Sequence, residues 1–150
     1  MLFIFDLDDT TINSQHRQGE TLADWIALNT PENVAKDSLL PLADSWKTID
    51  QSRDDVVIMT SRVIADADLA FLARSGLRYR FIYSRPEGSM IPCGQLKTAM
   101  VLQCARDLGR SLAWMQSNAY MFDDSNEVRE ALTALKIKCY NPISYNARNA

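Results

Sequence analysis

Cysteine is scarce in this sequence and poorly placed for cross-linking. Cys93, Cys104 and Cys139 are odd in number and widely separated, with no C-x-x-C pair. That pattern argues against a disulfide framework or a thiolate zinc site and leaves ordinary reduced thiols. Histidine is scarcer still, with His16 alone. As a loop histidine it reads as solvent-exposed or, with Asn13 and Arg17, as a substrate contact, rather than as a catalytic base. Positive charge is not in excess. The formal net charge of −3 argues against general nucleic-acid binding, whose affinity comes mainly from neutralised phosphates. Long apolar runs are missing too. The opening Met1–Phe5 run is ended by Asp6 and has no basic residue before it, so it is too short for the apolar core of a signal peptide. Nothing approaches the ~18 apolar residues of a membrane span. The expectation is a cytoplasmic chain without membrane contact and without an obligate protein partner. No repeat, low-complexity tract or linker divides the 150 residues. One domain over 1–150 is therefore expected, of a size that buries roughly 70% of its unfolded surface.

What the sequence does have is a core-forming composition, 47% apolar and 23% charged, arranged in alternating patterns. Leu2–Phe5, Val56–Met59, Tyr79–Tyr83, Ala119–Phe122 and Ile137–Tyr140 are short apolar runs of the kind that form buried parallel strands. Between them, Ala65–Arg74, Gln95–Leu108 and the stretch after Ser125 carry apolar residues at helical spacing. Thr21–Leu28, Pro31–Lys36 and Leu42–Asp50 also read as helices. Residues 85–94 read as one ordered loop, and the polar tail after Asn141 as loose. Strands separated by helices predict an α/β fold: a three-layer α/β/α, Rossmann-like sandwich with a mainly parallel five-stranded sheet.

The acidic residues fall where such a fold binds ligands, beyond the carboxyl ends of the strands. The first strand ends in Asp6-Leu7-Asp8-Asp9-Thr10, the second in Thr60-Ser61-Arg62, and the fourth in Asp123-Asp124; Lys97 stands near the start of a long helix. Carboxylates gathered at one sheet edge repel one another and are costly to desolvate, a penalty that a divalent cation removes. Magnesium, with its preference for hard oxygen ligands, is the expected ion. Carboxylates plus magnesium would bind a phosphoryl group, with Lys97 and Thr60 completing the cradle. Arg62 and Arg85 are expected to help select a phosphorylated substrate, because guanidinium groups grip phosphate in bidentate fashion. Each residue also has a plainer reading: a strand-end turn for the aspartates, a strand terminus for Thr60, solvated loop charges for the arginines. Trp25, Trp46 and Trp114 are most simply packing residues, although Trp25 could stack on a base.

Residue for residue, the pattern resembles the haloacid dehalogenase-like (HAD) superfamily of phosphatases. Phe3-Ile-Phe-Asp6-Leu-Asp8-Asp-Thr10 looks like its D-x-D-x-T motif, Val56–Thr60 like its second, Lys97 like its third, and Phe122-Asp123-Asp124 like its fourth. The resemblance implies that Asp6 is a nucleophile forming an aspartyl-phosphate and a metal ligand. Asp8 is then the acid/base and ligates through its carbonyl; Asp123 and Asp124 serve the metal, and Thr60, Ser61 and Lys97 hold phosphate. The glycine common after the second aspartate is replaced by Asp9. A narrower resemblance, carried by Asn13-x-x-His16-Arg17, Thr60-Ser-Arg62, Arg85-Pro-x-Gly88 and Leu96-Lys97, is to the phosphatase half of phage-type polynucleotide kinase-phosphatases. It implies a nucleic-acid 3′-phosphate or a nucleotide as substrate. The intervals between motifs leave no room for a large cap, only for a small helical flap within about residues 20–50. Two other classes compete. A receiver-type signalling domain would carry its paired acids on the first strand and its lysine last, the reverse of the order here. An inactive binding subunit of the same fold would not need the complete residue set.

Overall fold

The computed structural model describes residues 1–150. Five parallel strands form the central sheet: β1 (Leu2–Phe5), β4 (Asp55–Met59), β5 (Phe81–Tyr83), β6 (Ala119–Phe122) and β7 (Lys138–Tyr140), in the order β5-β4-β1-β6-β7. The register sets Phe5 beside Ile58 on one flank and beside Phe122 on the other. The chain first builds outward from β1 through β4 to β5, then returns to lay β6 on the opposite side. The strand order therefore reverses between β1 and β6, the place where open α/β sheets form a ligand crevice.

Strand alternation divides the core into two layers. Leu2, Ile4, Val57, Met59 and Met121 face α5 (Cys93–Asp107), α6 (Leu112–Asn118) and α7 (Asn126–Ala134). Phe5, Val56 and Ile58 face α3 (Pro41–Lys47) and α4 (Asp66–Arg74). In that second layer Trp46 is fully buried, stacks on Phe5 at 4.8 Å and donates its indole N–H to the Arg78 carbonyl at 2.8 Å. Ser125 caps α7 as its sequence position suggests, its hydroxyl accepting the Val128 amide at 3.3 Å. Gly94 lets α5 and α7 approach closely, since a Cβ there would meet the Ala131 Cβ at 3.1 Å and Glu127 at 3.3 Å. No helix is long and apolar enough to cross a membrane.

No large cap is present. Residues between β1 and β4 form a two-stranded antiparallel ribbon of β2 (Ile12–Asn13) and β3 (Ser38–Leu39), with α1 (Leu22–Leu28) and α2 (Pro31–Val34) between them. α3 and the buried Val34 of α2 belong to the core layer, so α1 is the helix of this segment that lines the crevice.

Three local expectations need revision. The loop expected at 85–94 ends earlier, because α5 begins at Cys93. The strand expected from Tyr79 starts only at Phe81, so Arg80 precedes it at the amino end of the sheet, where it pairs with Asp55 at 3.1 Å. The polar tail is not loose. It forms α8 (Ile143–Asn149), in which the buried Asn146 accepts the Leu42 amide at 2.9 Å and donates to the Thr10 carbonyl at 3.0 Å. Polarity misled here because one side chain satisfies two main-chain groups that would otherwise be buried without partners. Replacing it should expose that dependence. Asn146→Ala is expected to cost about 2–4 kcal/mol and to lower Tm by on the order of 5–10 °C, measured by thermal unfolding. A loose tail would give no change.

Candidate active site

The turn after β1 is built by its own side chains. Thr11 donates its hydroxyl to the Asp6 carbonyl at 2.8 Å, and the Asp9 amide bonds the Ile12 carbonyl at 2.9 Å. Asp9 has φ +60°, a left-handed conformation that glycine adopts freely and aspartate tolerates. This explains why glycine is common at that place and why aspartate can stand there. Its carboxylate accepts the side-chain amides of Gln15 at 2.6 Å and Gln18 at 3.1 Å.

Asp6 and Asp123, from the two strands at the reversal point, come together with Asp124. One carboxylate oxygen from each lies within 4.8 Å of the others. Lys97, expected in the first turn of its helix, is in the second turn of α5 and only 1% exposed. Its ammonium donates to Asp6 at 3.1 Å and to Asp123 at 2.6 Å. The helix dipole therefore has little bearing on Lys97; the carboxylates around it do. Thr10 joins the pieces. Its hydroxyl lies 3.1 Å from Asp6 Oδ2 and 3.2 Å from Asp124 Oδ1, and it accepts the Asp124 amide at 3.2 Å. The Ser125 amide holds Asp123 Oδ1 at 2.9 Å.

One ammonium does not balance this nest. Burial, with Asp123 next in importance, pushes the Asp6 carboxyl well above the usual carboxylate range, and Asp124 is raised for the same two reasons. Lys97 is raised despite its burial, chiefly by Asp6 and Asp123. Hard oxygens, close spacing and uncompensated negative charge fit a divalent cation, and Asp6, Asp123 and Asp124 are the residues that could hold it.

Asp8 points elsewhere. Its carboxylate accepts the Ser14 hydroxyl at 2.5 Å and both Nε (3.2 Å) and Nη2 of Arg62. Arg62 also bonds Asp68, whose other oxygen accepts the Asn29 side-chain amide at 3.0 Å and the Ala65 amide at 2.9 Å. Behind them the fully buried Arg17 grips Asp37 with two hydrogen bonds, at 2.8 and 2.7 Å. Sequence reasoning missed Asp68, which reads as an ordinary helix-start acid, and Ser14, which carries no local signal. Thr10 was visible as part of the D-x-D-x-T motif, but its linking role was not.

A cavity of about 470 Å³ opens over this centre. Asp6, Asp8, Ser61, Arg62, Arg85, Lys97, Asp123 and Asp124 all line it; Thr60 does not. Thr60 is fully buried, and its hydroxyl oxygen accepts the Arg62 amide at 3.1 Å. Arg85 lines the cavity while donating to the carbonyls of Ser61 (2.8 Å), Ser89 (3.2 Å) and Ile91 (2.7 Å). Asn13, His16 and Arg17, weighed as substrate contacts, are also outside the cavity. His16 Nε2 lies 2.7 Å from the Asn33 carbonyl, and Asn13 caps the Gln15 amide at 3.2 Å.

The raised Asp6 carboxyl has a consequence for stability. In the fold it binds a proton more readily than in the unfolded chain. Its contribution to stability is therefore lost as pH rises from the ordinary carboxylate range through its raised value. A bound divalent cation replaces that proton. The expected result is a cation-dependent rise in Tm that is larger near about pH 7 than near about pH 5. Asp6→Asn should raise the cation-free Tm at about pH 7 and shrink the cation effect. Equal cation effects at both pH values would contradict this account.

The comparisons with known proteins agree with the fold. Two solved structures of the Pnkp1/Rnl/Hen1 complex, one described as an RNA repair complex, each match 93% of this chain at 20% identity with a TM-score of 0.69. The chain spans 41% and 44% of the matched chains, about two fifths of their length. No curated protein matches it. The family model of the bacteriophage T5 5′-deoxynucleotidase matches residues 1–139, from the first strand into the last strand of the sheet, and the chain belongs to that family.

Proposed function

We propose that this protein is a HAD-type, magnesium-dependent phosphatase that hydrolyses the 5′-phosphate of deoxynucleoside monophosphates through an aspartyl-phosphate on Asp6. The observation that carries the reading is the buried nest in which Lys97 bridges Asp6 and Asp123, with Asp124 alongside. The family match supplies the substrate class. In this reading residues 1–150 act as one catalytic domain, with α1 as its small flap.

The chemistry follows from the side chains. An Asp6 carboxylate oxygen attacks phosphorus, and the ester oxygen leaves with a proton from Asp8. Water then attacks the phosphorus of the aspartyl-phosphate and passes its proton to Asp8, releasing phosphate and restoring Asp6. Ser14 and Arg62 hold the Asp8 carboxylate at the edge of the cavity in the resting site, and the carboxyl turns from them to the ester oxygen for both transfers. Lys97 offsets the charge spread over the transferring group. The magnesium held by Asp6, Asp123 and Asp124, with the Asp8 carbonyl, would supply further positive charge at the same point.

A nucleic-acid 3′-phosphate is the competing substrate, but the cavity does not suit a polymer. Seven acidic side chains line it against three basic ones. All three basic groups are already engaged: Lys97 by Asp6 and Asp123, Arg62 by Asp8 and Asp68, Arg85 by carbonyls. A second backbone phosphate would find no free cation, and polymer binding depends on such contacts. One phosphoryl group with its nucleoside fits a volume of 470 Å³ within the usual range of small-molecule sites.

Phosphate release from deoxynucleoside monophosphates, sugar phosphates and 3′-phosphorylated oligonucleotides tests the reading directly. Turnover should require magnesium and favour the monophosphates. Asp6→Asn should reduce kcat by at least about 1,000-fold, and Asp8→Asn by roughly 100- to 10,000-fold. Full turnover without the Asp6 carboxylate, or a single stoichiometric phosphorylation without turnover, would refute it.

A further inference from the structure

α1 is the one helix whose sequence and placement do not match a packing role. It is a seven-residue helix with no buried residue. Yet Leu22, Trp25 and Ile26 stand at i, i+3 and i+4, the spacing of a single apolar face. All three line the cavity above the carboxylates. Met90 and Ile91, from the loop between β5 and α5, line the same cavity and are 77% and 47% exposed. Ile26, at 45%, joins them among the large hydrophobic residues left open to solvent. Exposed apolar side chains gathered around one polar centre mark a binding site rather than a random surface.

Both elements are held where they are. A capping box fixes the start of α1: Thr21 Oγ1 accepts the Asp24 amide at 3.1 Å, and Asp24 accepts the Thr21 amide at 3.3 Å. Gly19 is packed so tightly there that a Cβ would lie 2.0 Å from the Asp24 Cβ. At the other end, Asn29 donates to the Val63 carbonyl at 3.2 Å and to Asp68 at 3.0 Å. The loop is held by Arg85, which binds the carbonyls of Ser89 and Ile91. The apolar surfaces are thus presented by anchored backbone.

We propose that these two surfaces form a nucleobase slot, with Trp25 as the stacking platform and Ile26, Met90 and Ile91 completing the apolar contact. The proposal rests on the nucleotide reading above and names how that substrate is gripped. The occupant follows from continuity. The slot and the carboxylate nest belong to one cavity, so whatever fills the slot is attached to the phosphoryl group being removed. A flat aromatic base suits an indole face. A polyanionic occupant does not, because Asp9, Glu20 and Glu127 also line the cavity and its basic groups are engaged. Binding affinity then comes from the base, while the phosphoryl group is handled by the nest.

The test compares dAMP with deoxyribose 5-phosphate, which carries the same phosphate ester and no base. The readout is the ratio of their kcat/KM values, measured with magnesium on the full chain. The ratio should exceed ten for the wild type. Trp25→Ala should lower it about tenfold, the loss expected when a base gives up its aromatic stacking partner, and the change should appear in KM for dAMP rather than in kcat. Trp25→Phe should restore most of it. Met90→Ser, at a largely exposed position that does not threaten folding, should lower the ratio severalfold. A wild-type ratio well above ten that neither substitution changes would overturn the slot and leave the nucleotide reading standing. A wild-type ratio near one, or faster hydrolysis of a 3′-phosphorylated oligonucleotide, would overturn both.

Discussion

A single buried ammonium sets the terms for the rest of the molecule. Lys97 is almost wholly enclosed and touches the carboxylates of Asp6 and Asp123. Unpaired, any of these three charges would be prohibitive to bury. Together they are tolerable, but the cluster still carries more negative than positive charge once Asp124 is included. The fold meets this by placing the cluster at the reversal of strand order, where the segments that follow β1 and β6 turn to opposite faces of the sheet and leave room for a further cation. Bringing Lys97 to that point requires α5 to lie close against α7, which Gly94 permits.

A second group of charges surrounds the first without joining it. Arg62 ties Asp8 to Asp68, and Arg17 secures Asp37 beneath the ribbon that carries α1 and α2. The consequence is mechanical as well as electrostatic. The segment over the sheet edge is anchored to the same residue, Asp68, that steadies the arginine holding Asp8. It also means that each basic side chain lining the cavity is engaged within the protein. The open surfaces left to a ligand are carboxylates below and apolar side chains at the sides. The carboxylates can take an anionic group only across a bound cation, while the apolar side chains suit a flat apolar body.

Local pattern was a good guide wherever one element alone decided the outcome. The apolar run Leu2–Phe5 became β1, and Val56–Met59 lies within β4. Ser125 caps α7 as its position before an amphipathic stretch suggests. The same patterns suffice to place Asp6, Asp123 and Asp124 at strand ends, because a parallel sheet puts all its carboxyl ends on one edge. Polar tails and isolated arginines were harder to read, since their role depends on partners distant in sequence. Asn146 is buried only because Thr10 and Leu42 present main-chain groups to it. Arg85 binds its own loop only because the carbonyls of Ser89 and Ile91 curl around it.

The sequence by itself determined the α/β architecture, the strand-end acids and the lysine that must meet them, since periodicity and the spacing of charges after apolar runs are local properties. Tertiary structure alone decided which cation faces which acid: Lys97 to Asp6 and Asp123, Arg62 to Asp8. It decided that Ser61 rather than Thr60 lines the cavity, and that Trp25 stands over the centre while Trp46 lies in the core. The reason is physical. The direction of a buried charge is fixed by the sum of the partners that relieve its desolvation, and those partners come from segments that only the folded chain brings together.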